Sequence, residues 1–223
     1  MAKSAICEVV LIRHAHSTAN LKGILAGRNN RIALSPRGKI EAIALTERLS
    51  TTSFDAIYSS PLKRCVDTIS PLIARSKGKI EFLEGLIEME YGSWSGKPLR
   101  QLSKNPLWKT IQNRPSTVRF PGGESFLEMF ARANQAVTEA SVGRERIAIV
   151  SHGDVIKAIV AFHLGMALDC FQRIVIDPAS ITILRLPASQ ITLLNSTAHL
   201  AVTGAALNDK RDHYLLGGGQ GKV

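Results

Sequence analysis

Three times along this chain a short apolar run rich in β-branched residues stops abruptly and hands over polar side chains. The runs cover 8–12, 54–58 and 146–150, and they deliver Arg13-His14, Ser59-Ser60 and Ser151-His152. Continuous apolar runs of this length read as strands covered on both faces. A helix-forming stretch comes after each of them. Alternating strands and helices with short connections predict an α/β three-layer sandwich, a mostly parallel central sheet flanked by helices. In such open sheets, reactive groups gather at the carboxyl ends of the strands. The polar residues after the three runs are therefore the first candidates for chemistry.

Local signals fill in the connections. Ser35-Pro36, followed by apolar Ile40, Ile43, Ala44 and Leu49, predicts an amphipathic helix capped by Ser35 with Pro36 in its first turn. Ser59-Ser60-Pro61 predicts a second helix opened by the same device and running to about residue 75. From 84 to 123 the periodicity weakens under Gly92, Gly96, Pro98, Pro106, Pro115 and Pro121, with Trp94 and Trp108 between them. The stretch 92–121 reads as an excursion capping the site, and its tryptophans read as anchors to the body. Helical period returns over 124–142 and 155–164, and β-rich runs on either side of Pro187 predict a late hairpin or edge pair. Residues 1–203 read as one domain, and the polar, Gly-rich 204–223 as a flexible tail.

Composition narrows the partners. With 28 Lys and Arg against 18 Asp and Glu, the formal charge of +10 favours anions without choosing among them. Aromatic residues make up 5% of the chain and are not interleaved with basic runs, which argues against nucleic acid. There is no apolar stretch of about 18 residues, which argues against a membrane span. Glu8 precedes any long apolar run, so no signal peptide is expected. Cys7, Cys65 and Cys170 are odd in number and widely spaced, unlike a zinc site or a disulfide framework. A cytoplasmic protein is expected.

The first strand end places Arg13, His14, His16, Ser17 and Asn20 in one loop; the second supplies Arg64 and the third His152. Planar guanidinium forks match phosphate oxygens, and a neutral imidazole can act as a nucleophile. Further motifs follow in order: Gly27, Leu34-Ser35 and Gly38; Ser60-Pro61-Leu62-Lys63-Arg64 with Thr68; Glu88 through Tyr91-Gly92 and Trp94-Ser95-Gly96; Gly122-Gly123-Glu124-Ser125; and Ser151-His152-Gly153. This ordered set resembles the histidine phosphatase superfamily, also called phosphoglycerate mutase-like, along nearly the whole chain. It is similar in particular to an actinobacterial branch described as phosphomutases or phosphatases. Ala15 departs from the pattern, which has glycine there.

The resemblance implies a phosphoglycerate mutase-like fold and assigns roles. His14 would attack phosphorus, and Arg13 and Arg64 would bind the phosphate. His152 would donate to the phosphoryl oxygens, and Asn20, Ser17, Gly27 and Gly153 would complete the pocket. Glu88 would be the proton donor, with Glu84 and Glu90 as nearby carboxylates of the same chemistry. Arg28, Lys97 and Arg100 read as solvated charges. The arginines and histidines supply the positive charge that a metal supplies elsewhere, so neither metal nor cofactor is implied. The implied activity is metal-independent hydrolysis of a small phosphorylated metabolite through a phosphohistidine on His14. The alternatives are a phosphomutase and a non-catalytic phospho-ligand binding protein, the latter with Ala15 as its mark. The segment from Gly92 to Pro121 is short and sparsely basic for a mutase, and a homodimer stays open. If the usual glycine needs a positive φ, the Ala15 methyl would cost roughly a kcal/mol; at negative φ it is nearly free.

Overall fold

The computed structural model describes residues 6–201 and the short strand segments 214–215 and 219–220. The first elements are β1 (Cys7–Arg13), α1 (Thr18–Lys22), α2 (Pro36–Leu49), β2 (Ala56–Ser59), α3 (Lys63–Ser76) and β3 (Ile80–Phe82). An irregular excursion follows, carrying the short helices α4 (Leu99–Leu102) and α5 (Pro106–Asn113). Then come α6 (Phe126–Ser141), β4 (Arg146–Ser151), α7 (Gly153–His163), β5 (Ile181–Leu186), β6 (Gln190–Ser196) and α8 (Ala198–Ala201). The tail expected to be flexible lies outside the described residues, apart from an antiparallel pairing of Tyr214–Leu215 with Gly219–Gln220.

The six strands lie in the order β3-β2-β4-β1-β5-β6. β1 to β4 run parallel, β5 pairs antiparallel with β1, and β6 turns back antiparallel to β5 as the late hairpin. β1 is bonded on both edges, by β4 and β5. Its side chains alternate between two cores, as the two-residue strand period requires. Val9 and Leu11, with Ile147 and Ile149 of β4, face α6 and α7 through Phe126, Met129, Val137 and Ile159. Val10 and Ile12, with Ala148 and Val150, face α2 and α3 through Leu45, Leu49, Cys65 and Ile69. This is the three-layer sandwich, and both faces of its central strands β1 and β4 are dry.

Two helix readings need correction. In α2 the cap is as expected, with Ser35 accepting from the Gly38 amide and Pro36 in the first turn, but Ile40 and Ile43 point to solvent. The inner face carries Gly38, Glu41, Ala42, Leu45 and Leu49, because the helix is turned onto the loop after β1. Glu41 accepts from the His16 amide at 2.7 Å, and Gly38 lets the backbone close on the His16 carbonyl. Contact with that loop overrides the apolar pattern. In α3, helical residues begin at Lys63, with Leu62 as a cap lacking any side-chain bond. Ser60 and Pro61 instead turn the chain so that Arg64, in the first helical turn, points inward.

A Cβ on Gly38 would lie 1.9 Å from the His16 carbonyl oxygen, a contact between two backbones that no rotamer change relieves. Gly38→Ala should therefore lower stability by about 1–3 kcal/mol, as overpacking does, and reduce turnover by displacing the His14 loop. Thermal denaturation alongside an activity assay checks both.

Candidate active site

β2, β4 and β1 are neighbours in the sheet, so their carboxyl ends converge. β1 ends at Arg13 and releases His14, whose amide donates to the Ser151 carbonyl at 2.9 Å. β4 ends at Ser151 and releases His152, which caps α7. β2 leads through Ser60 to Arg64. Glu88 arrives from the irregular segment after a single turn of 3-10 helix, Glu84–Leu86. His14, Arg64, Glu88 and His152 are each no more than 3% exposed. The two imidazole rings lie 5.3 Å apart, edge to face. Glu88 Oε2 is 3.8 Å from Arg64 Nη2 and 3.7 Å from His152 Nδ1.

Hydrogen bonding assigns the His14 tautomer. Its Nδ1 lies 2.8 Å from the Ala15 carbonyl, which can only accept, so Nδ1 carries the proton and Nε2 keeps its lone pair. Burial pushes the pKa of His14 well below its usual value, with help from Arg64 and Arg13, and His152 is shifted the same way. Both rings are neutral. Burial raises Glu88 to about 7, against the opposing pull of Arg64. Desolvation thus acts on all three groups by penalising their charged forms.

A guanidinium stays protonated in proteins and brings five donors in a fixed fork. Arg64 Nη2 donates to the Gly27 carbonyl at 2.9 Å, while its buried Nε and Nη1 find no acceptor among the described residues. Arg13 Nη1 donates to the Ile176 carbonyl at 2.5 Å. Gly27 therefore meets the site through its backbone. It has φ +52, and a Cβ there would lie 2.5 Å from Ser95 Oγ. The cluster combines two buried cations, neutral imidazoles and one protonatable carboxyl, which is a setting for a phosphate dianion.

The remaining candidates divide. Ser17 caps α1 in a reciprocal box with Asn20, and both line the cavity beside His14, Arg64 and Glu88. His16 turns to Ser35 Oγ at 2.8 Å, and burial lowers it to about 4. Gly153 opens α7 directly after His152. Glu90 faces Arg28 at 3.6 Å, away from the imidazoles. Trp94 and Trp108 stack with rings 6.4 Å apart and anchor the excursion to the larger core. Ala15 is not at positive φ, and its methyl is buried against Leu34, Ala42, Ala44, Ala179 and Leu200, so its place in the loop is unstrained.

Other contributors stand in the sequence motifs or beside them without an assigned role in the site. Ser60 Oγ lies 2.8 Å from His152 Nε2, and Thr68 Oγ1 accepts from the Ala15 amide at 2.9 Å. Tyr91 donates to Asp154 at 2.8 Å, and Lys157 approaches the other oxygen of that carboxylate at 3.4 Å. Arg28 is not simply solvated, because its Nε donates to the Glu88 carbonyl at 2.9 Å. Among the described residues, no group of three or more His, Cys, Asp or Glu is placed to hold a metal ion.

Paired imidazoles between two buried arginines at the ends of parallel strands define an enzyme of phosphate-ester chemistry. A model of the histidine phosphatase superfamily (branch 1) matches residues 9–198, and the chain belongs to that superfamily. It is 31% identical over 199 residues to phosphoserine phosphatase 1 of Hydrogenobacter thermophilus, covering 86% of this chain and 94% of that one. It is 28% identical to a 2,3-bisphosphoglycerate-dependent phosphoglycerate mutase of Thermoplasma acidophilum, covering 84% and 91%. A phosphoserine phosphatase mutant of Entamoeba histolytica, solved with phosphoserine, superposes with a TM-score of 0.78 at 25% identity, covering 87% of this chain and 99% of that one.

An imidazole NMR titration checks the protonation assignments. His14 and His152 should titrate below an ordinary histidine and be neutral at pH 7, with His14 protonated on Nδ1. An imidazolium signal from either at pH 7 would contradict the assignment.

Proposed function

We propose that the protein is a metal-independent phosphomonoesterase that hydrolyses small phosphorylated metabolites through a phosphohistidine on His14. The observation that carries this reading is the buried cluster itself: a lone pair on His14 Nε2, unpartnered donors on Arg64, and a carboxyl at Glu88 that ionises only near neutrality. His14 Nε2 attacks phosphorus as the bond to the ester oxygen breaks. Arg13, Arg64 and His152 bind the equatorial oxygens, and protonated Glu88 gives its proton to the departing alkoxide. Glu88, now a carboxylate, takes a proton from water, whose oxygen attacks phosphorus. The phosphorus–nitrogen bond then breaks, releasing inorganic phosphate and restoring His14.

Hydrolysis is favoured over mutase action by the relatives' names, a phosphoserine phosphatase at 31% identity against a mutase at 28%. Retention of all four central residues speaks against a purely binding role. The relatives' names make phosphoserine the first alkyl phosphate to assay. The three free thiols suit a reducing cytoplasm.

With EDTA present, the purified protein should release phosphate from 4-nitrophenyl phosphate and phosphoserine. His14→Ala should lose at least about 10³-fold, as expected for removal of a nucleophile. Undiminished release by that variant, or loss of activity on chelation, would refute the reading. The pH dependence follows from Glu88: its proton is needed in the first step and is lost as pH rises through about 7. The kcat/KM for phosphoserine should therefore fall above about pH 7, approaching tenfold per unit, and Glu88→Gln should remove that limb.

A further inference from the structure

Glu88 lies outside any strand or α-helix, so no regular hydrogen-bond ladder holds it in place. Its backbone is gripped instead by side chains: Arg28 Nε shares the Glu88 carbonyl at 2.9 Å, and Arg132 of α6 makes the larger set of bonds. Arg132 Nη1 donates to the carbonyls of Gly85 at 2.9 Å and Ile87 at 2.7 Å, and Nη2 donates to that of Glu88 at 3.2 Å. The same guanidinium is paired on both carboxylate oxygens of Glu124, with Nε at 3.0 Å and Nη2 at 2.6 Å. Glu124 Oε1 also accepts from the Glu90 amide at 2.9 Å. The chain on both sides of Glu88 is thus tied to one planar group. Gly85 is pressed against α6, where a Cβ would come within 2.9 Å of the Arg132 carbonyl oxygen. The Glu88 carboxyl itself has one further backbone tether, accepting from the Met89 amide at 2.9 Å.

We propose that Arg132, locked by Glu124, is a positioning residue that sets the Glu88 carboxyl where the leaving oxygen departs. The inference rests on the reading of Glu88 as proton donor. Arg132 touches backbone carbonyls and Glu124, not the reacting cluster. Three carbonyls and a carboxylate need a rigid fork with several donors, which a lysine ammonium cannot reproduce. A small displacement of a catalytic group costs on the order of 10²-fold in rate. The cost should fall on proton donation alone.

The test compares phenyl phosphate with 4-nitrophenyl phosphate. The two are closely similar in shape, but 4-nitrophenolate departs with far less need of a proton. The kcat/KM ratio, 4-nitrophenyl over phenyl, is independent of the fraction of protein that is active, so a partly unfolded variant still reports. It also isolates the step before phosphohistidine hydrolysis. Arg132→Met should raise this ratio about tenfold and Arg132→Lys several-fold, in the same direction as Glu88→Gln. If Glu88→Gln raises the ratio while both Arg132 variants keep the wild-type value, the positioning role is wrong and the proton-donor reading stands. If Glu88→Gln itself leaves the ratio unchanged, the proton-donor reading fails and the inference falls with it.

Discussion

The site depends on a guanidinium taken out of water without a full set of protein partners. Arg64 is almost completely buried, gives one nitrogen to the Gly27 carbonyl and approaches Glu88, and leaves two nitrogens without an acceptor among the described residues. Burying a charge in this way costs several kcal/mol unless its hydrogen bonds are met. A phosphate dianion would meet them. The same dry surroundings also set the neighbouring protonation states: the imidazoles lose their protons and Glu88 keeps its own to about pH 7. One physical condition, exclusion of water around fixed positive charge, brings together neutral imidazoles, a protonated carboxyl and open guanidinium donors.

The fold tolerates this because β1 is held deep within the sheet. It is bonded on both edges and covered on both faces, and the loop that leaves it is fastened from several directions. Glu41 and Ser35 hold His16, Thr68 holds the Ala15 amide, and Ser151 accepts from the His14 amide. Ala15 fits within these bonds. Its methyl fills a small apolar cluster and its backbone needs no positive φ, so it is not evidence that the chemistry has been lost.

Much of this is legible in the amino-acid sequence. The strand–polar loop–helix rhythm implies the layered sheet, and the ordered motifs imply which histidines, arginines and glutamate meet. The sequence misleads where a side chain answers to a distant partner. Ile40 and Ile43 satisfy a helical pattern yet face solvent, because α2 is turned to place Gly38 and Glu41 against the His14 loop. Ser60 has the character of a helix cap and is a neighbour of His152. Arg28 has the character of a surface charge and holds the Glu88 carbonyl.

The sequence by itself determined the class of fold and the chemical types in the site, because strand burial and motif order are properties of short segments. The tertiary structure alone decided the His14 tautomer, the two open donors of Arg64, the raised carboxyl of Glu88 and the anchoring of its segment by Arg132 from α6. Each of these depends on groups far apart in the chain brought within hydrogen-bond distance, and on a loss of water that no local stretch of sequence encodes.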